Sequence, residues 1–237
     1  MKKSISLGER LKLAAGFVRE GAVLADVGTD HGYLPIYLLS SGKIKTAVCS
    51  DINSGPLGKA EENVRHSGLL GKVIFKLCSG AQGLSGLGVT DYTVCGMGGE
   101  LIAEILEASP HLKDESLNFV LQPMTKPEAL RSYLWSNGFE IIREGYCLDE
   151  GKYYLCINAR YTGRVKKYTP FEAYFGEKLH LIGSADEALV GYVKAKMSAL
   201  RSVIRGKTLG GVECDAERTL YKELCQKFDL PSDGEVL

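Results

Sequence analysis

Short apolar segments alternate with amphipathic ones along the first part of the chain, a pattern typical of strands that alternate with helices. An amphipathic helix is predicted at the start, because apolar residues recur at helical spacing from Leu7 to Val18. Five buried strands are then predicted, at residues 22–25, 46–52, 73–77, 91–95 and 118–121. This order predicts an α/β fold built on a parallel sheet.

A β-hairpin is predicted to follow the last of these units. Residues 139–147 and 152–160 alternate between apolar and polar side chains, and the turn residues Asp149-Glu150-Gly151 lie between them. We expect the first domain to end with this hairpin and to span residues 1–161.

Two further helices are predicted to begin at capping boxes. Thr125 and Glu128 have the required spacing, and so do Ser184 and Glu187. In such a box the two side chains satisfy backbone N–H groups that the first helical turn leaves unpaired.

The remaining residues, 162–237, are predicted to form a helical domain. A reversal at Gly210-Gly211 separates two apolar stripes, so we expect an antiparallel, coiled-coil-like helical hairpin. The stripes consist of Leu189, Val193, Met197, Leu200 and Ile204, and of Leu220, Leu224 and Phe228.

Charge and cysteine content exclude several classes of protein. Lys+Arg and Asp+Glu balance at 29 each, so a nucleic-acid partner has to be argued from local charge. The seven cysteines form no C-x-x-C pair, which argues against a zinc site and favours reduced thiols. The sequence shows neither a signal peptide nor a segment that could cross a membrane, so a cytoplasmic protein is expected. No metal is expected.

The segment ADVGTDHGYLP, at residues 25–35, connects the first strand to a helix through a glycine turn. Such a corner binds nucleotides, but Asp30 and His31 stand where a diphosphate would need glycine. The carboxylate would repel phosphates, so a nucleoside cofactor without them is expected, and S-adenosylmethionine fits. The candidate cofactor contacts here are Asp26, Gly28, Thr29, Asp30, His31 and Gly32.

Asp51 ends the second predicted strand and can accept hydrogen bonds from both ribose hydroxyls. The alternatives are that Asp51 caps the next helix, or that the ribose belongs to NAD in a dehydrogenase. Further cofactor contacts are expected from Ile52, Asn53, Ala81, Gln82, Gly83, Gly96 and Gly98.

The fourth predicted strand ends at Gly96-Met97-Gly98-Gly99, where glycines let the backbone approach a substrate closely. The motif that clamps the exocyclic amine of adenine, Asn/Asp-Pro-Pro-aromatic, is not found there. A tight turn with Met97 in the core is the alternative. The candidate catalytic residues are Gln122, His31, Gly96 and Met97, although Gln122 and His31 also suit structural roles.

Two other side chains near these loops are expected to pack. Tyr33 could stack on a base, but packing beneath the cofactor loop is the favoured interpretation. Cys95 could act as a nucleophile, but a small buried hydrophobe is the expected role.

Basic residues concentrate after residue 160 and could contact a phosphate backbone. A solvated helix face, or a module that binds another protein, is the alternative. The candidates for RNA contact are Lys166, Lys167, Lys194, Arg201 and Arg205.

Several motifs together resemble the bacterial tRNA (adenine-22-N1)-methyltransferases. They are DVGTDHGYLP at 26–35, SDIN at 50–53, CGMGGELIAEIL at 95–106, LQP at 121–123 and KYY at 152–154. The resemblance covers essentially the whole chain. It implies a Rossmann-like class I methyltransferase domain and a helical C-terminal domain that helps hold tRNA.

The implied reaction is methylation of N1 of adenine 22, in the D-arm region of tRNA. A monomer is expected. One departure is Ala81-Gln82, where such proteins often carry Gly-Asn or Ala-Asn. Methylation of another RNA or of a small molecule remains an alternative.

Overall fold

The computed structural model describes residues 5–177 and 186–227. The chain forms two compact units, Met1–Lys167 and Tyr168–Leu237.

The first unit is built on a seven-stranded sheet with the strand order β3-β2-β1-β4-β5-β7-β6. β1 to β5 run parallel, whereas β7 pairs antiparallel with both β5 and β6. The strands are β1 Ala22–Val27, β2 Ile44–Asp51, β3 Val73–Leu77, β4 Asp91–Gly98, β5 Asn118–Thr125, β6 Phe139–Asp149 and β7 Lys152–Tyr161. The predicted α/β sheet is confirmed.

Five helices connect or flank these strands: α1 Glu9–Phe17, α2 Tyr33–Ser40, α3 Ser54–His66, α4 Gly99–Glu107 and α5 Pro127–Ser136. Because crossovers between parallel strands are right-handed, the reversal of strand order at β1 puts α2 and α3 on the opposite face from α4. α1 packs beside α2 and also reaches β6 and β7. The core includes the fully buried Leu24, Leu38, Phe119 and Trp135.

The predicted hairpin is confirmed as β6 and β7. The two residues between them, Glu150 and Gly151, have φ of 47° and 77°. Two successive positive φ angles define a type I′ turn, which matches the right-handed twist of paired strands.

The capping box predicted at Thr125 is wrong. β5 continues through Thr125, which pairs with Gly98 of β4. Lys126 caps the helix instead, in a left-handed conformation (φ 50°, ψ 48°), and Pro127 is the first helical residue. A residue that precedes proline is disfavoured in the helical region, so the helix cannot begin earlier.

The first unit extends a few residues beyond the expected boundary after Tyr161. The backbone N–H groups of Thr162 and Gly163 both donate to the Gly138 carbonyl. Lys166 donates its backbone N–H to the Trp135 carbonyl and holds its ammonium 4.3 Å from the centre of the Trp135 ring. These contacts keep the connector on the first unit.

The second unit contains α6 Pro170–Phe175, α7 Glu187–Leu209 and α8 Asp215–Lys227. A capping box is found at Thr169 and Glu172. α7 begins at Glu187, and the Asp186 side chain caps it, whereas a box of Ser184 with Glu187 was predicted. Ser184 and Phe228 lie outside the described residues.

α7 and α8 form the predicted helical hairpin. The predicted stripe of α7 is buried except at Met197, which is half-buried. α7 ends at Leu209 with Gly210 as its C-cap, and Gly211 has a positive φ of 66°. Within the described residues, no helix is long and apolar enough to cross a membrane.

Candidate active site

A cavity of about 680 Å³ opens at the carboxyl ends of β1, β2 and β4. The strand order reverses between β1 and β4, and the crevice at such a reversal is where open α/β sheets bind ligands. Its volume lies within the range of roughly 300–1,000 Å³ that small-molecule sites occupy.

Asp26, near the end of β1, is a buried carboxylate that lines this cavity. Its two oxygens accept hydrogen bonds from the hydroxyls of Thr29, at 2.6 Å, and Thr93, at 2.8 Å. Burial raises the pKa of this carboxyl and Asp51 adds repulsion, although both hydroxyls lower it. A cation bound in the cavity would stabilise the charged form. Asp26 thus holds its loop through the hydroxyls of Thr29 and Thr93.

Two positions in the β1–α2 loop require glycine. Gly28 has φ of 74°, and a Cβ there would lie 2.0 Å from the terminal methyl of Met97. Gly32 is left-handed at φ 68° and precedes α2. Both glycines line the cavity, so the backbone itself forms part of its wall.

Asp51 lies at the end of β2 and faces the cavity. Its Oδ1 accepts the backbone N–H of Asn53 at 2.8 Å, which fixes the carboxylate beside the first turn of α3. Asp51 does not cap α3, as the alternative had it, because Asn53 occupies the N-cap position. The ribose contact stays a prediction. Ile52 and Asn53 also line the cavity.

His31 and Tyr33 form a stacked aromatic pair at the cavity wall, with ring centres 5.1 Å apart and planes 14° apart. His31 Nε2 lies 3.3 Å from Asp30 Oδ2. The Tyr33 side chain is 43% exposed, so the expectation that it packs beneath the loop is wrong.

The end of β4 forms the opposite wall. Gly96 has φ of 83°, and the pairing of β4 with β5 is irregular around Met97. Gly96 and Met97 both line the cavity, and their part in catalysis stays a prediction.

Gln122, the leading catalytic candidate, is fully buried and does not line the cavity. Its Oε1 accepts from Arg10 Nη1 at 2.7 Å and from the Gly96 N–H at 3.1 Å, while its Nε2 donates to the Pro123 carbonyl at 3.0 Å. Because protein groups occupy both ends of the amide, Gln122 supports the wall and offers no group to an adenine.

Other predicted contacts also lie behind the wall. Thr29 is buried and donates its hydroxyl to Asp26. Gly98 lies against β5, since a Cβ there would lie 3.2 Å from the Thr125 hydroxyl. Ala81 is buried, and Gln82 and Gly83 face outward, because a turn from Ser79 to Gln82 carries the chain away. Cys78, Ser79 and Gly80 line the cavity in their place.

Cys95 lines the cavity but is not a nucleophile. Burial raises the pKa of its thiol well above the ordinary value, so the thiol stays protonated at neutral pH. The described residues contain no group of His, Cys, Asp and Glu suited to a metal ion.

The candidates for RNA contact divide into packed and exposed side chains. Lys166 lies on Trp135, and Arg201 donates to the Tyr221 hydroxyl at 2.7 Å. Lys167, Lys194 and Arg205 are exposed.

Arg10, on the first turn of α1, was missed by the sequence analysis although it lines the cavity. No local motif marks it, because hydrogen bonds with residues more than a hundred positions away place it there.

Comparison with known proteins places the chain in a family. The sequence profile of the methyltransferase domain matches residues 7–157. The tRNA (adenine(22)-N(1))-methyltransferase of Bacillus subtilis is 32% identical over 164 residues, which make up 69% of each chain. The chain belongs to the bacterial tRNA (adenine-22-N1)-methyltransferase family. The predicted family is confirmed.

Solved structures of similar proteins support this membership of the methyltransferase family. A Streptococcus pneumoniae protein in complex with S-adenosyl-L-methionine is 30% identical, has a TM-score of 0.77, and the match covers 91% of this chain and 100% of that one. M. capricolum TrmK in complex with S-adenosyl-homocysteine is 26% identical, has a TM-score of 0.69, and the match covers 94% and 95% of the two chains.

Proposed function

We propose that this protein transfers a methyl group from S-adenosylmethionine to N1 of adenine 22 in tRNA. The observation that carries the proposal is the cavity, whose acidic and glycine-rich walls suit a nucleoside without phosphates. Membership of the family specifies the nucleotide. The predicted cofactor is confirmed by relatives bound to the methyl donor and to its product, and NAD is set aside.

The residues of the cavity fit the methyl donor. Asp51 is fixed at the strand end where a carboxylate can accept from ribose hydroxyls. Asp26 offers a buried negative charge to a cation. The donor supplies an activated methyl group, so the protein needs mainly to align that group with the acceptor nitrogen, which can lower a barrier by about 7–11 kcal/mol.

N1 of adenine keeps an in-plane lone pair at neutral pH, so no base has to remove a proton from it. N1 also lies on the pairing edge, so the adenine has to leave its stack to reach the cavity. Tyr33, which is exposed and stacked on the half-buried His31, is suited to stack on such a base. The open backbone at Gly96 and Met97 lets the base approach the donor.

The second unit is proposed to hold tRNA through the exposed Lys194 and Arg205 of α7, and Lys167 of the connector is proposed to assist them. A cytoplasmic location is proposed, because a tRNA substrate is found there. A monomer without metal stays a prediction.

Incubation of unmodified tRNA with labelled S-adenosylmethionine, followed by digestion to nucleosides, tests the reaction. 1-Methyladenosine is expected at position 22. N6-methyladenosine, 5-methylcytidine or labelled protein would refute the proposal.

A tRNA with guanine at position 22 is the sharper control. Guanine N1 carries a proton at neutral pH, so turnover is expected to be slow or absent. Efficient methylation of this tRNA would mean that a general base is present, with His31 and Asp30 as the first candidates.

A further inference from the structure

Arg10 is the single lysine or arginine among the described residues that line the cavity. The other charged groups that line it are the carboxylates of Asp26, Asp30 and Asp51. The cavity therefore has an acidic side at β1 and β2 and a cationic point beside β4.

Arg10 is held in place by groups from three parts of the first unit. Its backbone N–H donates to Asp149 Oδ2 at 3.2 Å, and its Nη1 donates to Gln122 Oε1 at 2.7 Å. Its guanidinium lies 5.7 Å from the centre of the Tyr154 ring. A long side chain fixed at both ends loses little further freedom when it binds a ligand.

The guanidinium offers more donors than these contacts use. Arginine carries five N–H donors, and a buried amide oxygen, Gln122 Oε1, accepts from one of its nitrogens. Within the part of the chain that the structure describes, no carboxylate forms an ion pair with Arg10. A guanidinium that is held in place at a ligand cavity is suited to bind a group with two anionic oxygens, such as a carboxylate.

We propose that Arg10 binds the α-carboxylate of the methyl donor, an inference that rests on the proposed cofactor. The neighbouring strands β2, β1 and β4 carry Asp51, Asp26 and Gly96 at their carboxyl ends, and Arg10 lies beside Gly96. Two strand spacings span about 10 Å. This row therefore offers acceptors for the ribose at one end. Towards the other end it offers a carboxylate for the ammonium and a guanidinium for the carboxylate, two groups that share the α-carbon of the donor.

The phosphate of the target nucleotide is the other anion that could reach Arg10. The donor carboxylate is favoured because Arg10 lines the same cavity as Asp26 and Asp51, which suit the donor. Arg10 and the Gly96 N–H also donate to the same atom, Gln122 Oε1. An experiment can distinguish the two anions, because only the carboxylate belongs to the cofactor.

Titration calorimetry with S-adenosylhomocysteine and with its decarboxylated analogue tests the proposal. Arg10→Ala is expected to weaken S-adenosylhomocysteine by about tenfold to a hundredfold, the size of a lost hydrogen bond to a charged group. The analogue is expected to bind the variant and the parent protein within about threefold of each other. Arg10→Lys should recover part of the loss, since it keeps the charge but not the fork of donors.

Lys12→Ala is the matched control, because Lys12 lies on the same helix in an exposed ion pair with Glu9 and should change neither affinity. Thermal unfolding of each variant checks the fold. Equal weakening of both ligands would overturn the proposal in favour of structural support through Gln122. Unchanged S-adenosylhomocysteine binding with weaker tRNA binding would overturn it in favour of a phosphate contact. If the parent protein binds neither ligand, the proposed function fails instead.

Discussion

The two walls of the cavity are built in different ways. The donor wall consists of the β1–α2 loop and the end of β2, with Asp26, Gly28 and Asp51, and each of its parts is continuous in sequence. The opposite wall is called the acceptor wall because the base is proposed to approach at Gly96 and Met97. It joins three distant segments, since Gln122 bonds both Gly96 and Arg10, the residue proposed to reach across to the donor's carboxylate. The donor wall is therefore a set of local motifs, whereas the acceptor wall depends on the completed fold.

The largest effect is expected at Gly99, which connects the acceptor wall to α4. A Cβ there would lie 2.2 Å from the Lys126 carbonyl oxygen, and a backbone atom yields less readily than the end of a flexible side chain. Gly99→Ala is expected to lower the free energy of unfolding by about 3 kcal/mol. Denaturant unfolding measures this.

Gly58→Ala is its control, because Gly58 is also in a helix and nothing lies within 4 Å of the point that its Cβ would occupy. That change should raise stability by about 0.5–1 kcal/mol. Equal effects at both positions would contradict the packing argument.

On the donor wall, Asp51→Ala is expected to weaken S-adenosylhomocysteine by about 1–3 kcal/mol, because it removes an acceptor for ribose hydroxyls. Its Oδ1 also accepts from Asn53, so Asp51→Ser, with a shorter acceptor, is a useful companion. Calorimetry gives the affinity. An unchanged affinity in both variants would mean that the ribose does not bind at the end of β2.

The second unit offers a test of RNA binding that leaves both walls intact. Replacing Lys194 and Arg205 together by alanine should reduce the slope of tRNA affinity against salt by about 1 for each phosphate that the variant no longer neutralises. Lys207→Ala is the control, because Glu217 already pairs with Lys207 at 2.6 Å. An unchanged slope in the double variant would favour a protein partner for this unit.

The smallest effect concerns Asp26, whose pKa is raised mainly by burial. A raised pKa means that the folded state holds the proton more tightly than the unfolded state. The ionised carboxylate therefore lowers the free energy of unfolding once the pH exceeds its pKa in the unfolded state. This loss is complete above its pKa in the folded state. Asp26→Asn removes this loss. The unfolding temperature of the variant minus that of the parent is expected to rise as the pH increases above 3.8, the ordinary pKa of this carboxyl, and a difference that stays flat from pH 3 upward would contradict the role of burial.

The sequence supported prediction of the sheet and of the donor wall, because both depend on local apolar patterns and on glycine turns. Residues 79–83 show the limit of this reasoning. The motif indicated Ala81 to Gly83 as contacts, yet a turn brings Cys78 to Gly80 to the cavity. A shift of a few residues in a loop changes which side chains reach a ligand, and no periodic pattern records it.

The acceptor wall could not be predicted in the same way. Gln122 was chosen for its position at a strand end, but whether an amide faces a ligand depends on the partners that occupy it. Arg10 looks like an ordinary residue of an amphipathic helix. The capping box predicted at Thr125 is wrong for a local reason, the proline at position 127. Because this proline is visible in the sequence, the error could have been avoided without the structure.

The hydrogen bond between Arg10 and Asp149 joins residues that are 139 positions apart. During synthesis the ribosome releases α1 early and the β6–β7 turn late, so a nascent chain holds Arg10 long before it holds the carboxylate that positions it. The donor loop is already present in such a chain. If Arg10 binds the carboxylate of the methyl donor as proposed, recognition of that end of the cofactor is among the last properties that the emerging domain acquires.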